Sequence, residues 1–277
     1  DQESLDIVFY NIDLKVDPKK KIISGNTIIT FVLYQKVKNI EIDLLKNYTV
    51  SGTSINGTSL AFEQKNDKVY ILNTGLKLFK EHSLEIKYVG KPPVSKSPPW
   101  EAGIIWDEDS NGNHWVGIAC QSKGGHIWFP SKSNPNDKAE GAEIKITVPK
   151  PLKVVSNGLL KSIEPSSGYW HTWVWETNYP ISSYNINFTI GDFKEVKRTG
   201  YILDKPLKMI FYTLSNDTNK DIELLKSAEE YLSFYAGLFG QYPWIQEKFG
   251  IVQTPYWGME HQTAIAYGNN HKKTNLG

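Results

Sequence analysis

The stretch TPYWGMEHQTAIAYG, Thr254 to Gly268, sets a carboxylate, Glu260, directly after Gly258 and Met259 within an alternating apolar pattern. Glycine removes the side-chain barrier to a close approach by another backbone. A strand at a sheet edge can take up an extended peptide through its free ladder groups. A carboxylate at that place would pair with a cation, and the free α-ammonium is the cation that a peptide end offers. The competing reading makes Glu260 an ordinary solvated strand residue.

Other chemistry is sparse. The six histidines, His82, His114, His126, His171, His261 and His271, include no pair at the H-E-x-x-H spacing and none with two acidic partners at a recognisable zinc spacing. No catalytic or metal-ligating residue is therefore expected within this chain. A G-x-S-x-G nucleophile elbow and a G-x-x-x-x-G-K-[ST] phosphate loop are both missing. Cys120 is the only cysteine, which excludes an intramolecular disulfide. Nine tryptophans invite a sugar-stacking reading, with Trp173 and Trp175 on one face of a strand, against the plainer expectation that they fill a sandwich core.

The elements that must position Glu260 are mostly strands. Phe9 to Asp17, Ile22 to Tyr34, Asn39 to Leu45, Lys68 to Leu72 and His82 to Gly90 alternate or are β-branched. A proline-rich surface loop follows, and strands resume at Glu143 to Lys150, Leu152 to Gly158, Tyr169 to Thr177 and Tyr184 to Phe193. Asn157-Gly158 reads as a turn joining two strands. Beyond Pro206 comes a strand and then a helix with Ile222, Leu225, Leu232, Tyr235 and Phe239 on one face, Thr218 or Asn219 as its N-cap, and a stop at Gly240 and Pro243. KFGIVQTP and GMEHQTAIAYG read as two closing strands. The change of pattern predicts a β-domain over residues 1–200 and an α+β unit over 201–277.

Lysine plus arginine total 31 against 30 acidic residues in a chain of 277, a net charge of +1, so no nucleic-acid partner is expected. No apolar run is long enough for a transmembrane helix, and the N-terminus lacks the pattern of a signal peptide. A soluble chain is expected, cytoplasmic or exported with its signal removed.

YWGMEH resembles the G-x-M-E-N exopeptidase motif of the aminopeptidase N and leukotriene hydrolase family of zinc metallopeptidases, with Gly258, Met259 and Glu260 matched to its glycine, methionine and glutamate. FYAGLFGQYPW, Phe234 to Trp244, is similar to the family's helix end and following turn. CQSKGGHIWFPSKSNP, Cys120 to Pro135, resembles the segment in which a glutamine precedes P-C-x-D-x-P. Pro130 and Pro135 are kept there, while Ser131 and Ser133 replace the usual Cys and Asp.

The resemblance spans essentially the whole chain. It implies a mainly β fold, a saddle-like antiparallel β-sandwich followed by the first α+β lobe of a thermolysin-like catalytic domain. It further implies that Glu260 and Gln121 hold the α-amine of a peptide substrate while the backbone at Gly258 and Met259 runs beside it. Zinc would serve the full-length parent, with no cofactor bound by this chain, and the remainder of the catalytic domain would be its structural partner. The family's zinc helix lies downstream, so this chain alone is expected not to hydrolyse peptides. Where the family usually has Asn, this chain has His261, expected on the face opposite Glu260. A non-catalytic peptidase-like interaction module and a carbohydrate-binding sandwich are the rival readings.

Overall fold

The computed structural model describes residues 2–121, 123–214, 216–269 and 271. Its largest element is an eight-stranded sheet, in the order Leu159–Pro165, Trp170–Thr177, Gly141–Pro149, Leu5–Asp17, Ile22–Leu33, Glu81–Gly90, Tyr48–Ile55 and Thr58–Ser59. All neighbours run antiparallel except Leu5–Asp17 and Gly141–Pro149, which are parallel. Leu5–Asp17 turns Leu5, Ile7, Tyr10, Ile12, Leu14 and Val16 inward. The alternation skips one residue where the register with Ile22–Leu33 shifts between Ile7 and Phe9, because a bulge moves every later side chain to the other face.

Against that face pack a four-stranded sheet (Lys153–Ser156, Phe188–Gly191, His114–Ala119, Gly103–Glu108) and a three-stranded one (Ile40–Asp43, Lys68–Ile71, Phe62–Lys65). Trp173 and Trp175 face this interior and are buried. The Trp175 indole N–H donates to the Val154 carbonyl at 3.1 Å. These two rings are core, not a sugar platform.

One turn expectation is corrected. Lys153–Ser156 and Leu159–Pro165 belong to different sheets, so Asn157-Gly158 carries the chain from one layer to the other and makes no hairpin. Asn157 is fully buried, and its Oδ1 accepts from the Asn187 N–H at 2.8 Å. Gly158 has φ +68°, and a Cβ there would lie 1.9 Å from the Glu176 carbonyl oxygen. Positive φ serves a layer crossing as well as a hairpin turn.

The second unit is a five-stranded sheet, in the order Lys194–Ile202, Lys205–Thr213, Phe249–Gln253, Ile265–Tyr267 and Gly258–Met259. Its first hairpin spans residue 200, so these strands begin at Lys194. The helix Thr218–Phe239 covers one face, with Leu225 and Ala236 against Leu207, Met209, Phe211 and Ile251. Its N-cap is Asp217, whose carboxylate accepts from the Lys220 N–H at 3.3 Å, one residue before the expected Thr218. Tyr235 and Phe239, expected on the packed face, stay exposed, as do Tyr231, Phe234 and Leu238. Among the described residues no helix is long and apolar enough to cross a membrane.

The opposite face of this sheet adds Ile210, Tyr212, Val252, Met259, Ala264 and Ala266 to the core of the sandwich, so both units share one interior. Lys248 lies in that seam, 1 % exposed. Its Nζ donates to the Ser156 carbonyl at 2.8 Å and to that of Gly158, and sits 4.7 Å from the Trp175 ring centre. Beside it the Glu247 carboxylate accepts from Thr177 Oγ1 at 2.9 Å and the Asn178 N–H at 2.9 Å. Burial raises the Glu247 carboxyl above its usual range and lowers the Lys248 amine to about 7.

The unfolded Lys248 keeps its proton up to the ordinary value near 10.5, whereas the folded one releases it near 7. The unfolded state therefore binds more protons between those values, and raising the pH favours the fold. The folding equilibrium constant should climb up to about tenfold per pH unit from 7 toward 10. In Lys248→Met that climb should be absent. Urea unfolding across this range checks it, and equal slopes in both proteins would refute it.

Candidate functional site

The site builds from two segments that meet at one end of the seam. The first is the strand His114–Ala119, which runs into Cys120 and Gln121. The Cys120 carbonyl accepts from the N–H groups of Lys123 and Gly124 at 3.0 and 2.8 Å, closing a tight turn that lifts Gln121 into solvent. Ser122 lies outside the described residues.

The second segment departs from the single strand expected over GMEHQTAIAYG. Gly258–Met259 and Ile265–Tyr267 are two short antiparallel strands, and the chain reverses between them. Thr263 in the reversal has φ +58°, a conformation no strand residue adopts. Gly258–Met259 is the outermost strand of its sheet. Gly258 is needed by the hairpin itself, since at φ +129° a Cβ would lie 2.5 Å from the Ala266 carbonyl oxygen. Counted back from Met259, the first glycine of a G-x-M-E-N frame falls on Trp257, which is exposed, and Gly258 takes the x position. The Met259 side chain is buried, so at the edge it offers its backbone alone.

Three contacts dock this hairpin on the first strand. Tyr256 Oη donates to the Ile118 carbonyl at 3.3 Å, His261 Nε2 contacts the same oxygen at 3.3 Å, and the Tyr256 and Trp115 rings meet edge to face. Glu260 is thereby carried beside Cys120, whose thiol is pushed far up by burial and, secondarily, by the Glu260 charge. Gln121, the residue after Cys120, and Glu260 are both exposed. Among the described residues neither has a hydrogen-bond or ion-pair partner. A carboxylate and an amide oxygen, open to solvent beside an edge strand, can jointly accept from an ammonium group.

His261 is 2 % exposed and turned away from solvent, but it lies in the reversal with Gln262 and Thr263 also buried, so strand alternation is not what places it. Burial lowers the imidazole to about 4, against smaller opposing effects of the Ile118 and Asn185 backbone, so the ring is neutral around pH 7. With Ile118 O as its acceptor, Nε2 carries the proton. Elsewhere, Ser133 Oγ and His126 Nδ1 hydrogen-bond at 2.7 Å. Burial lowers the His126 imidazole below its usual range. Among the described residues no three His, Cys, Asp or Glu side chains gather as a metal would require, so zinc has no fitting site in them.

Sequence reasoning missed the residues that tie Glu260 down from behind. Asn157 Nδ2 donates to the Gln262 carbonyl at 2.5 Å, and the Gly158 N–H donates to Thr263 Oγ1 at 2.8 Å. The Gln262 amide, turned as its neighbours require, accepts from Trp244 Nε1 at 3.0 Å and donates to the Pro180 carbonyl at 3.3 Å. Long-range partnerships of this kind leave no local pattern.

Residues 8–185 match the family described as Peptidase M1 N-terminal domain. Among solved structures, the chain is similar to a mutant two-domain M1 zinc metallopeptidase bound to L-tryptophan, with 20 % identity and a TM-score of 0.79 over 96 % of this chain and 61 % of that one. It is also similar to an M1 zinc metallopeptidase mutant from Deinococcus radiodurans bound to a Tyr-Ser-Ala substrate, with 19 % identity and a TM-score of 0.80 over 98 % of this chain and 62 % of that one. At such identities the likeness is one of fold. The chain spans about three fifths of the length of these structures. No curated protein matches it by sequence.

The depressed imidazole makes a pH prediction. Between the ordinary 6.5 and the folded value of about 4 the unfolded state binds the extra proton, so stability is complete above 6.5 and drains as the pH falls toward 4. His261→Asn should remove that component, up to about tenfold in the folding constant per pH unit. Urea midpoints measured from pH 7 to 4 in both proteins decide it. Parallel losses would mean that the buried ring is not the titrating group.

Proposed function

This chain belongs to the Peptidase M1 N-terminal domain family, and we propose that it is the N-terminal part of a zinc-dependent aminopeptidase, supplying the grip on the substrate's free α-amine. The observation that carries the reading is the junction at Ile118. One backbone carbonyl receives both Tyr256 and His261, so the hairpin bearing Glu260 is seated on the strand that leads into Gln121. Glu260 supplies the charge opposite the ammonium, and the Gln121 amide oxygen accepts a further N–H. The outer side of Gly258–Met259 gives an extended peptide a strand to lie against, which fixes its direction.

On this reading residues 1–200 form the N-terminal β-domain and 201–277 open a thermolysin-like catalytic domain. Zinc would then be held by other residues of the parent, and the present chain would be inactive by itself. The partners are peptides with a free N-terminus and the rest of the catalytic domain. The exposed flank of the helix, with Tyr231, Phe234, Tyr235 and Leu238, is an apolar surface of the kind that such a partner covers.

In the full-length parent, Glu260→Ala should raise KM for free-amine peptides by roughly tenfold to a hundredfold, the worth of a hydrogen-bonded charge. N-blocked peptides should change far less, and Gln121→Ala should show the same bias more weakly. Equal responses of the two substrate classes would exclude an amine anchor. The reading also requires an intact H-E-x-x-H in the parent's reading frame.

A further inference from the structure

The three residues after Glu260 are buried, and each is bonded across the seam. His261 contacts the Ile118 carbonyl, the Gln262 carbonyl accepts from Asn157 and its side chain reaches Pro180, and Thr263 accepts from the Gly158 N–H. Thr263 stands out among them. It is a β-branched residue at φ +58°, 2 % exposed, where left-handed backbone crowds its Cβ. A glycine would adopt the same turn without strain. What threonine adds is Oγ1, which satisfies an otherwise orphaned N–H at the layer crossing of the β-domain.

On its other side the Thr263 carbonyl lies close against Gly250 of the strand Phe249–Gln253, an approach that a Cβ there, 2.3 Å from the oxygen, would forbid. The loop cannot slide along the seam without breaking the Gly158 bond. Backbone strain held in place by surrounding bonds is found where position matters.

We propose that Thr263 is a positioning residue whose hydroxyl, bonded to the Gly158 N–H, holds the Glu260 loop in line with Gln121; this rests on the amine-anchor reading above. The residue touches no substrate. It acts through the short reversal, by fixing on the β-domain the far end of the segment that starts at Glu260.

The test uses the 277-residue chain and reads amine binding, not hydrolysis. L-Leucine amide and N-acetyl-L-leucine amide are titrated by NMR against the wild type, Thr263→Ser, Thr263→Val and Thr263→Gly. The wild type and Thr263→Ser, which keep the hydroxyl, should prefer the free amine. Thr263→Gly relieves the left-handed strain and so should stay folded, yet it should lose the preference by tenfold or more. Hydrogen exchange at the Gly158 N–H should be slow in the first two and fast in the last.

Thr263→Val removes the same bond at nearly constant shape and should match Thr263→Gly in binding; if it does not fold, the glycine variant decides alone. A wild type that binds both amides equally overturns the amine anchor, and this proposal with it. A wild type that discriminates beside a folded Thr263→Gly that discriminates equally well overturns the positioning role and leaves the anchor standing.

Discussion

The seam between the two units is organised around an amine that has no business in an apolar interior. Lys248 is buried with two backbone carbonyls, an indole face and the Glu247 carboxylate about it. Removing a charged group from water is expensive, and each missing partner would add to the penalty. The layer crossing at Ser156 to Gly158 therefore has to present its carbonyls to Lys248 and not to a neighbouring strand. The same crossing offers Asn157 Nδ2 and the Gly158 N–H to the reversal after Glu260. A single irregular tripeptide thus serves the charge in the seam and the loop at its rim.

This arrangement explains why the sheet of the second unit is sequestered on both faces. The helix covers one side through Leu225 and Ala236, and the sandwich covers the other through Ile210, Tyr212, Val252 and Met259. A sheet buried on both sides loses the clean alternation of a half-exposed one. Phe249–Gln253 accordingly has Gly250, Ile251 and Val252 consecutively buried. The two units behave as one packed body around their shared interior, and a shift of one against the other would disturb polar bonds as well as apolar contacts.

The long alternating strands, the helix and the proline-rich loop are legible in the sequence because their signals are local and repeat over many residues. What was hidden has a common cause. Asn157-Gly158 carries a hairpin signature, yet the asparagine is spent on Asn187, Asn185 and Gln262, partners far away in the chain. GMEHQTAIAYG alternates well enough to pass for one strand, because a reversal through a left-handed threonine has no turn residue to announce it. Helix amphipathicity likewise shows which residues are apolar and not which ones the sheet reaches, so Tyr235 and Phe239 share the apolar stripe and yet stay exposed. Of the candidate site, Glu260 was visible from residue type and Gln121 from resemblance alone, while Asn157, Thr263 and Gln262 depend on tertiary placement.

The electrostatics of the rim follow from what lies beneath it. The Cys120 thiol is pushed up and the His261 imidazole down, both chiefly by burial, so both are neutral at pH 7. Neither group answers the charge of Glu260 from below. Buried, neutral protein behind a carboxylate screens its field far less than water does. An asparagine at position 261 would give the same neutrality with less apolar bulk. The histidine keeps it through burial, which outweighs the opposing pull of the Ile118 carbonyl, so the depth at which the hairpin is seated sets the charge state of its ring.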